Sequence, residues 1–335
     1  MIGTTPDLLS HLRLSRSNAS LSAALERAGT ELTTFRKSDI LEATGGDPRR
    51  LYGIETRIAR LTARTDTLSL AASRASLSQS SLQTISAATV DIGVDLLAEI
   101  GRQDLTSART EASQARNALG SVIGALNASF AGRSLFSGAA VDTAPLISSE
   151  EMIAELRTLV DAAPDVPSAL AAIDTYFNDP AGGFATSAYR GATQDAPPVE
   201  TDDGEFADYA PRADADPLRA IMQGLATAVM AVESDFSADP GSQTLLLQQA
   251  GDEIVNARLA VVELGNALGV QEARIEEAAT STAAEQAALE LARSGIIAVD
   301  PYEAAARFAE LQGQLDSLYT VTARLTSMSL TSYLR

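Results

Sequence analysis

Histidine occurs once in this chain, at His11, and cysteine does not occur. The side chains most often used as general base, nucleophile or soft metal ligand are therefore almost missing. A catalytic or metal-binding His11 would need partners of suitable geometry, and its own helical segment offers none, so it reads as a polar residue on a helix. The segment from Asp195 to Asp216 also holds Glu200, Asp202, Asp203, Glu205, Asp208 and Asp214. These carboxylates could collect a divalent cation, but they lack the alternating ligands and closing Glu of a twelve-residue calcium loop. A solvated acidic loop is the better account. Gly132-Arg133-Ser134 begins like a nucleophile elbow, yet Phe136 stands where the closing glycine belongs and no strand is expected before it. Gly182-Gly183 has no phosphate-binding fingerprint around it, and Asn18-Ala19-Ser20 and Asn127-Ala128-Ser129 are short sequons of a kind that often match by chance. The sequence thus offers no catalytic residue, cofactor site or metal site, and reads as a structural protein and not an enzyme.

The bulk chemistry narrows the partners. A formal charge of -19, with Lys37 the only lysine, argues against nucleic acid, whose phosphates require clustered cations. No apolar run approaches a membrane span. Met1 to Asn18 carries Asp7, His11, Arg13 and Arg16 and is not a conventional signal peptide. The absence of cysteine suits a chain exported without crosslinks. With 335 residues there is room for two or three domains, but aromatics make up only 4% of them, which favours long helices packed by narrow seams.

The elements that fill those domains are marked by proline. Nine of the twelve prolines fall between Pro145 and Pro240, and none lies in Arg49–Ala144 or Gly241–Asp300. Because proline breaks helices, the spacing predicts very long helices at both ends and an irregular insert between them. A first helix is expected from Asp7 to Phe35, with Leu14, Leu21, Ala28 and Phe35 in one heptad column and Leu25 and Leu32 beside it. Thr44-Gly45-Gly46-Asp47-Pro48 supplies a turn, and a second helix is expected from Pro48 to Ile100, with small serines at Ser69–Ser81 allowing close helix approach. Asp104 or Thr106 caps the next helix, which runs to about Phe130. Shorter helices are expected at Ser149–Asp161, with a Ser148/Glu151 capping box, at Pro167–Phe177 and at Pro217–Ser234. Gly182–Pro211 reads as one or two hairpins with loops. From Gly241 a heptad column returns at Leu247, Ile254, Val261, Leu268 and Ile275, with a fray or bend near Ser294-Gly295. Asp300-Pro301 starts the last helix, whose apolar face is Phe308, Leu311, Leu315, Leu318 and Leu325.

Helices with long apolar seams and no globular cover need partners, because helix stability comes mainly from packing. Leu14, Leu21, Leu25, Leu32 and Phe35, with Phe308, Leu311, Leu315, Leu318 and Leu325, are therefore the candidate assembly interface. Each leucine buried there would contribute roughly 1.5–3 kcal/mol.

Two stretches resemble a known family. Leu135-Phe136-Ser137-Gly138, directly after a long helix, resembles a signature of flagellin-like proteins. Asp316-Ser317-Leu318-Tyr319 through Leu325–Leu334 is similar to the ending of the flagellar hook–filament junction family, the third hook-associated proteins, and the Thr44–Pro48 turn suits the same group. The resemblance implies a mainly α, elongated antiparallel long-helix bundle or coiled coil with a small α+β insert. Residues 1–45 with 300–335 would form the terminal-helix domain, 46–139 with 240–299 the rod, and 140–239 an outward-projecting insert. It further implies a secreted flagellar component at the hook–filament junction, in a ring of about eleven copies. Its partners would be a neighbouring hook-associated protein, flagellin and an export chaperone at the C-terminal region, with no nucleic acid and no membrane. A filament-forming flagellin is the alternative, and a secreted coiled-coil adhesin or effector a further one. Arg50-Leu51-Tyr52-Gly53-Ile54 and the Ser/Thr/Leu-rich end differ from filament flagellins.

Overall fold

The structure, a computed structural model, describes the backbone of residues 5–333 and the side chains of residues 9 and 12–324. It is mainly helical. Helices α1 (Thr5–Thr34), α2 (Ile40–Ala43), α3 (Arg49–Ala88), α4 (Ile92–Gly101) and α5 (Leu105–Leu126) precede a short hairpin of β1 (Ser129–Phe130) and β2 (Arg133–Ser134). Helices α6 (Ser149–Asp161) and α7 (Val166–Asn178) lead to a second hairpin, β3 (Val199–Asp202) and β4 (Glu205–Ala207). Helices α8 (Asp216–Glu233), α9 (Pro240–Ile297) and α10 (Pro301–Tyr333) complete the chain. Residues divide into two compact units, Met1–Ala63 with Ala283–Arg335, and Arg64–Thr282.

Helix starts follow the local chemistry expected of them. Asp104 accepts the Thr106 and Ser107 amides at 3.1 Å each, satisfying donors that have no partner within α5. Ser148 and Glu151 form the full capping box of α6. Asp300 accepts the Tyr302 amide at 2.8 Å, with Pro301 first in α10. Ser73 and Ser80 in α3 bond back to the carbonyls of Ser69 and Ser76, while Ser78 and Ser81 are buried, so this serine-rich run is packed helix.

The expected single helix from Pro48 to Ile100 is in fact two. Thr89 and Val90, both β-branched, follow α3, and the Thr89 hydroxyl bonds the Ile85 carbonyl at 2.9 Å. The chain restarts at Ile92 so that Ile92, Gly93 and Leu96 are buried. A Cβ on Gly93 would stand 3.0 Å from the Gly251 carbonyl, from Ile254 and from Val255, so α4 meets α9 backbone to backbone. Helix α5 stops at Leu126, four residues before its expected end. Ala131 (φ 51°) and Gly132 (φ 77°) then turn the chain in the left-handed conformation that two-residue hairpins require. A strand therefore does precede Ser134. Helix α9 is unbroken through Ser294 and Gly295 to Ile297.

In the unit Arg64–Thr282, one core runs through α3, α4, α5, α6, α7, α8 and α9. Its α5 face is largely alanine (Ala108, Ala112, Ala115, Ala118), which lets α8 approach closely, and α8 is buried almost continuously from Ile221 to Ala231. Residues 140–239 thus share this core with the long helices. Their only second layer is the β3–β4 hairpin, where Val199 and Ala207 join Leu68, Ala71, Ile275 and Ala278 in a smaller cluster. Of the expected hairpins in Gly182–Pro211, this is the one that forms. Phe184–Ala188 instead makes a π-helical turn.

Leu135, Phe136, Ser137 and Gly138 are the hub of this unit. All four are buried. The Phe136 carbonyl accepts the Ala213 amide at 2.8 Å, the Ser137 carbonyl accepts Ala192 at 2.9 Å, and the Ala139 amide donates to Gln194 at 3.0 Å. One tight turn thereby fixes two later segments of the chain. Gly138 sits at φ 63°, and a Cβ there would lie 2.3 Å from the Gln194 carbonyl oxygen. Buried Arg74 donates to the Ser134 carbonyl at 3.0 Å and lies over the Tyr209 ring, joining α3 to the same hub.

Three substitutions test this packing. Gly138→Ala combines left-handed strain with a backbone clash and should destabilise the unit by about 2 kcal/mol or more in chemical denaturation. Gly93→Ala should cost about 1–3 kcal/mol by forcing α4 off α9. Gly269→Ala, where nothing lies within 4 Å of the new methyl, should instead stabilise by about 0.5–1 kcal/mol. Equal effects of Gly93→Ala and Gly269→Ala would contradict the close α4–α9 contact.

Candidate functional site: the paired terminal helices

In the unit formed by Met1–Ala63 and Ala283–Arg335, helices α1 and α10 pack against each other. Their shared seam is built from leucine spacing and one close approach, where Gly29 lies against the Phe308 ring with a would-be Cβ at 3.4 Å. Ala28 and Ala304 are the seam positions that reach full burial, at 3% exposure each. Leu14, Leu21, Leu25 and Leu32 on α1 are half-buried, as are Phe308, Leu311, Leu315 and Leu318 on α10. The large side chains of this pair therefore keep part of their apolar surface in water, and Leu12, Tyr302, Tyr319 and Val321 beside them are half or more exposed. Leu325 lies outside the described side chains.

Phe35 is not a seam residue. Helix α1 ends at Thr34, and Phe35 takes φ 54° with 52% of its surface exposed. The reason is the connection that follows. The Phe35 carbonyl accepts the Val299 amide at 3.1 Å, and the Lys37 amide donates to the Ile297 carbonyl at 2.8 Å. A left-handed residue at the helix end turns the chain so that residues 35–37 bridge to the α9–α10 junction. Heptad spacing placed Phe35 on the seam because it carries no information about where a helix is stopped. The short helix α2, capped by Asp39 through the Glu42 amide, was likewise not legible in the sequence.

The other sites weighed from the sequence have structural occupations. Asn127 donates to the Leu146 carbonyl at 3.1 Å and accepts its amide at 2.9 Å, so its side chain is committed to fastening the chain after α5. In the acidic segment, Arg212 holds Asp195 at 3.0 Å and Asp214 at 2.7 Å, and also donates to the Thr193 carbonyl. Among the described residues no group of three or more His, Asp or Glu side chains is placed to share a metal ion. His11 lies outside the described side chains.

The Glu253 carboxyl is pushed up by burial. It accepts hydrogen bonds from Gln249 at 2.9 Å and Thr227 at 3.2 Å, inside the α8–α9 packing. Burial also raises Tyr176 and Tyr189. The first of these donates to Glu155 at 2.7 Å and the second to the Ala192 carbonyl at 2.8 Å. Two of these bonds join helices, α8 to α9 through Thr227 and Glu253 and α7 to α6 through Tyr176 and Glu155. Among the described residues, no helix is long and apolar enough to cross a membrane.

Known proteins resemble parts of this chain. Bacillus cereus FlgL aligns with a TM-score of 0.43 at 13% identity, over 70% of this chain and 100% of its own. A chain described as a flagellar hook-associated protein of Vibrio parahaemolyticus aligns with a TM-score of 0.41 at 15% identity, over 72% of this chain and 98% of its own. No curated protein gives a match. Residues 252–334 match the family described as the bacterial flagellin C-terminal helical region. That stretch takes in most of α9 and α10, so the C-terminal quarter of the chain is flagellin-like in sequence.

Proposed function

We propose that this chain is a structural subunit of the bacterial flagellum, exported from the cell and assembled as a ring at the junction of hook and filament. The observation that carries the reading is the terminal pair, whose leucine seams are only half covered within one chain and whose C-terminal member lies in the flagellin-like stretch. A half-buried leucine retains about 1 kcal/mol of transfer free energy to be released when a neighbour covers it. Eight large seam residues over the two helices then supply a binding surface that needs no pocket and no cofactor.

In this reading residues 1–45 and 300–335 make the axial contacts, residues 46–139 and 240–299 form the surrounding rod layer, and residues 140–239 lie outermost. Neighbouring copies, another hook-associated protein and flagellin cover the seams, and an export chaperone holds the C-terminal region beforehand. A filament subunit is the second reading, favoured by the fact that the matched helical region is described for flagellin.

Leu315→Asp tests the proposal, because it places a charge in the half-buried seam without touching the core of Arg64–Thr282. The purified variant should keep the cooperative unfolding of that unit. Cells expressing it at normal level as their only copy should fail to incorporate it and should not swim. Normal motility would contradict the placement of the interface.

A further inference from the structure

The net charge of this chain is not shared between its two units. Met1–Ala63 with Ala283–Arg335 holds 13 of the 25 basic and 13 of the 44 acidic residues, and is neutral. Arg64–Thr282 holds the other 12 basic and 31 acidic residues, and carries the whole charge of -19. Within the neutral unit the two limbs differ slightly in sign. Residues 1–63 have 9 basic and 7 acidic side chains, and residues 283–335 have 4 and 6.

The structure sharpens this division. In the acidic unit, Arg102, Arg116, Arg157, Arg212 and Arg219 are engaged by carboxylates of their own chain, and Arg74 is buried over the Tyr209 ring. Among the remaining arginines, Arg133, Arg190 and Arg274 are exposed, and the carboxylates of this unit far outnumber its arginines. Asp203, Glu205, Asp208, Glu263, Glu276 and Glu277 are all exposed, and none of these six side chains takes part in an ion pair among the described residues.

We infer that the acidic unit limits self-association and that counterions set the limit. The inference rests on the assembly reading above and adds its regulation. When copies join through the neutral terminal helices, each brings a body of charge -19 toward another of the same sign. The contacts themselves cost no net charge repulsion, since their unit is balanced. The opposing force therefore resides almost wholly in Arg64–Thr282, and it is long-ranged. Its reach falls from about 30 Å at 0.01 M salt to about 8 Å at 0.15 M. Association of a second copy of this chain should accordingly strengthen with ionic strength, the opposite of an interface held by exposed ion pairs.

The experiment is sedimentation velocity of the full-length chain in NaCl from about 0.01 M to about 0.15 M, beside a variant with Asp203→Asn, Glu205→Gln, Asp208→Asn, Glu263→Gln, Glu276→Gln and Glu277→Gln. The expected result is an association constant that rises about tenfold or more over this range for the parent chain, with a distinctly shallower rise for the variant, which also associates more at low salt. A parent constant that is flat or falls with salt overturns the inference, as does an equal rise in both chains, which would indicate general salting-out. No self-association of either chain at any salt concentration overturns the assembly reading itself, and the inference with it.

Discussion

An apolar stripe on a helix has to be covered, and in the terminal pair this chain covers its own only halfway. Helix α1 offers leucines at heptad spacing and α10 answers with Phe308 and three leucines, yet the residues that become fully buried between them are alanines. Two helices cannot enclose a seam of large side chains, because each side chain meets neighbours on one side and solvent on the other. The unit Arg64–Thr282 solves the same problem differently, by setting α8 among α5, α6, α7 and α9 so that its residues are buried on nearly every side. The contrast is one of helix number. It accounts for why one part of the chain buries its apolar residues and the other leaves apolar surface uncovered.

The signature Leu135-Phe136-Ser137-Gly138 acquires a physical meaning from this division. It lies in the self-sufficient unit, buried, with its carbonyls and amides tying down residues 192–194 and 213. Its residue types are explained by the turn itself, which places the buried Phe136 ring in the core and a residue without Cβ against the Gln194 carbonyl. A motif that resembles an assembly family is here a folding device, and the proposed assembly surface is carried by residues with no motif beyond their spacing.

Much of the helical architecture was legible in the sequence because its signals are local. The proline gaps, the Asp104 and Asp300 caps and the Ser148/Glu151 box each act within four residues of where they stand. The boundaries of α6 follow from them directly. What was not legible depends on contacts distant in sequence. The break after Ala88 exists because Gly93 must meet Gly251, more than 150 residues away. The stop at Thr34 reflects a bridge from Arg36 to Ala298. The β1–β2 turn rests partly on Ala131, a residue that seldom takes a positive φ and gives no turn signal of its own. For the candidate interface, periodicity marked the leucines that share a face but not the fraction of each that the chain itself would cover.

Immunogold electron microscopy of intact flagella with an antibody against residues 149–239 tests the proposed location at the hook–filament junction. That segment is chosen because it lies outside the proposed terminal contacts. A single focus of label at the boundary between hook and filament is expected. Label along the whole filament, or none on the flagellum, would contradict it.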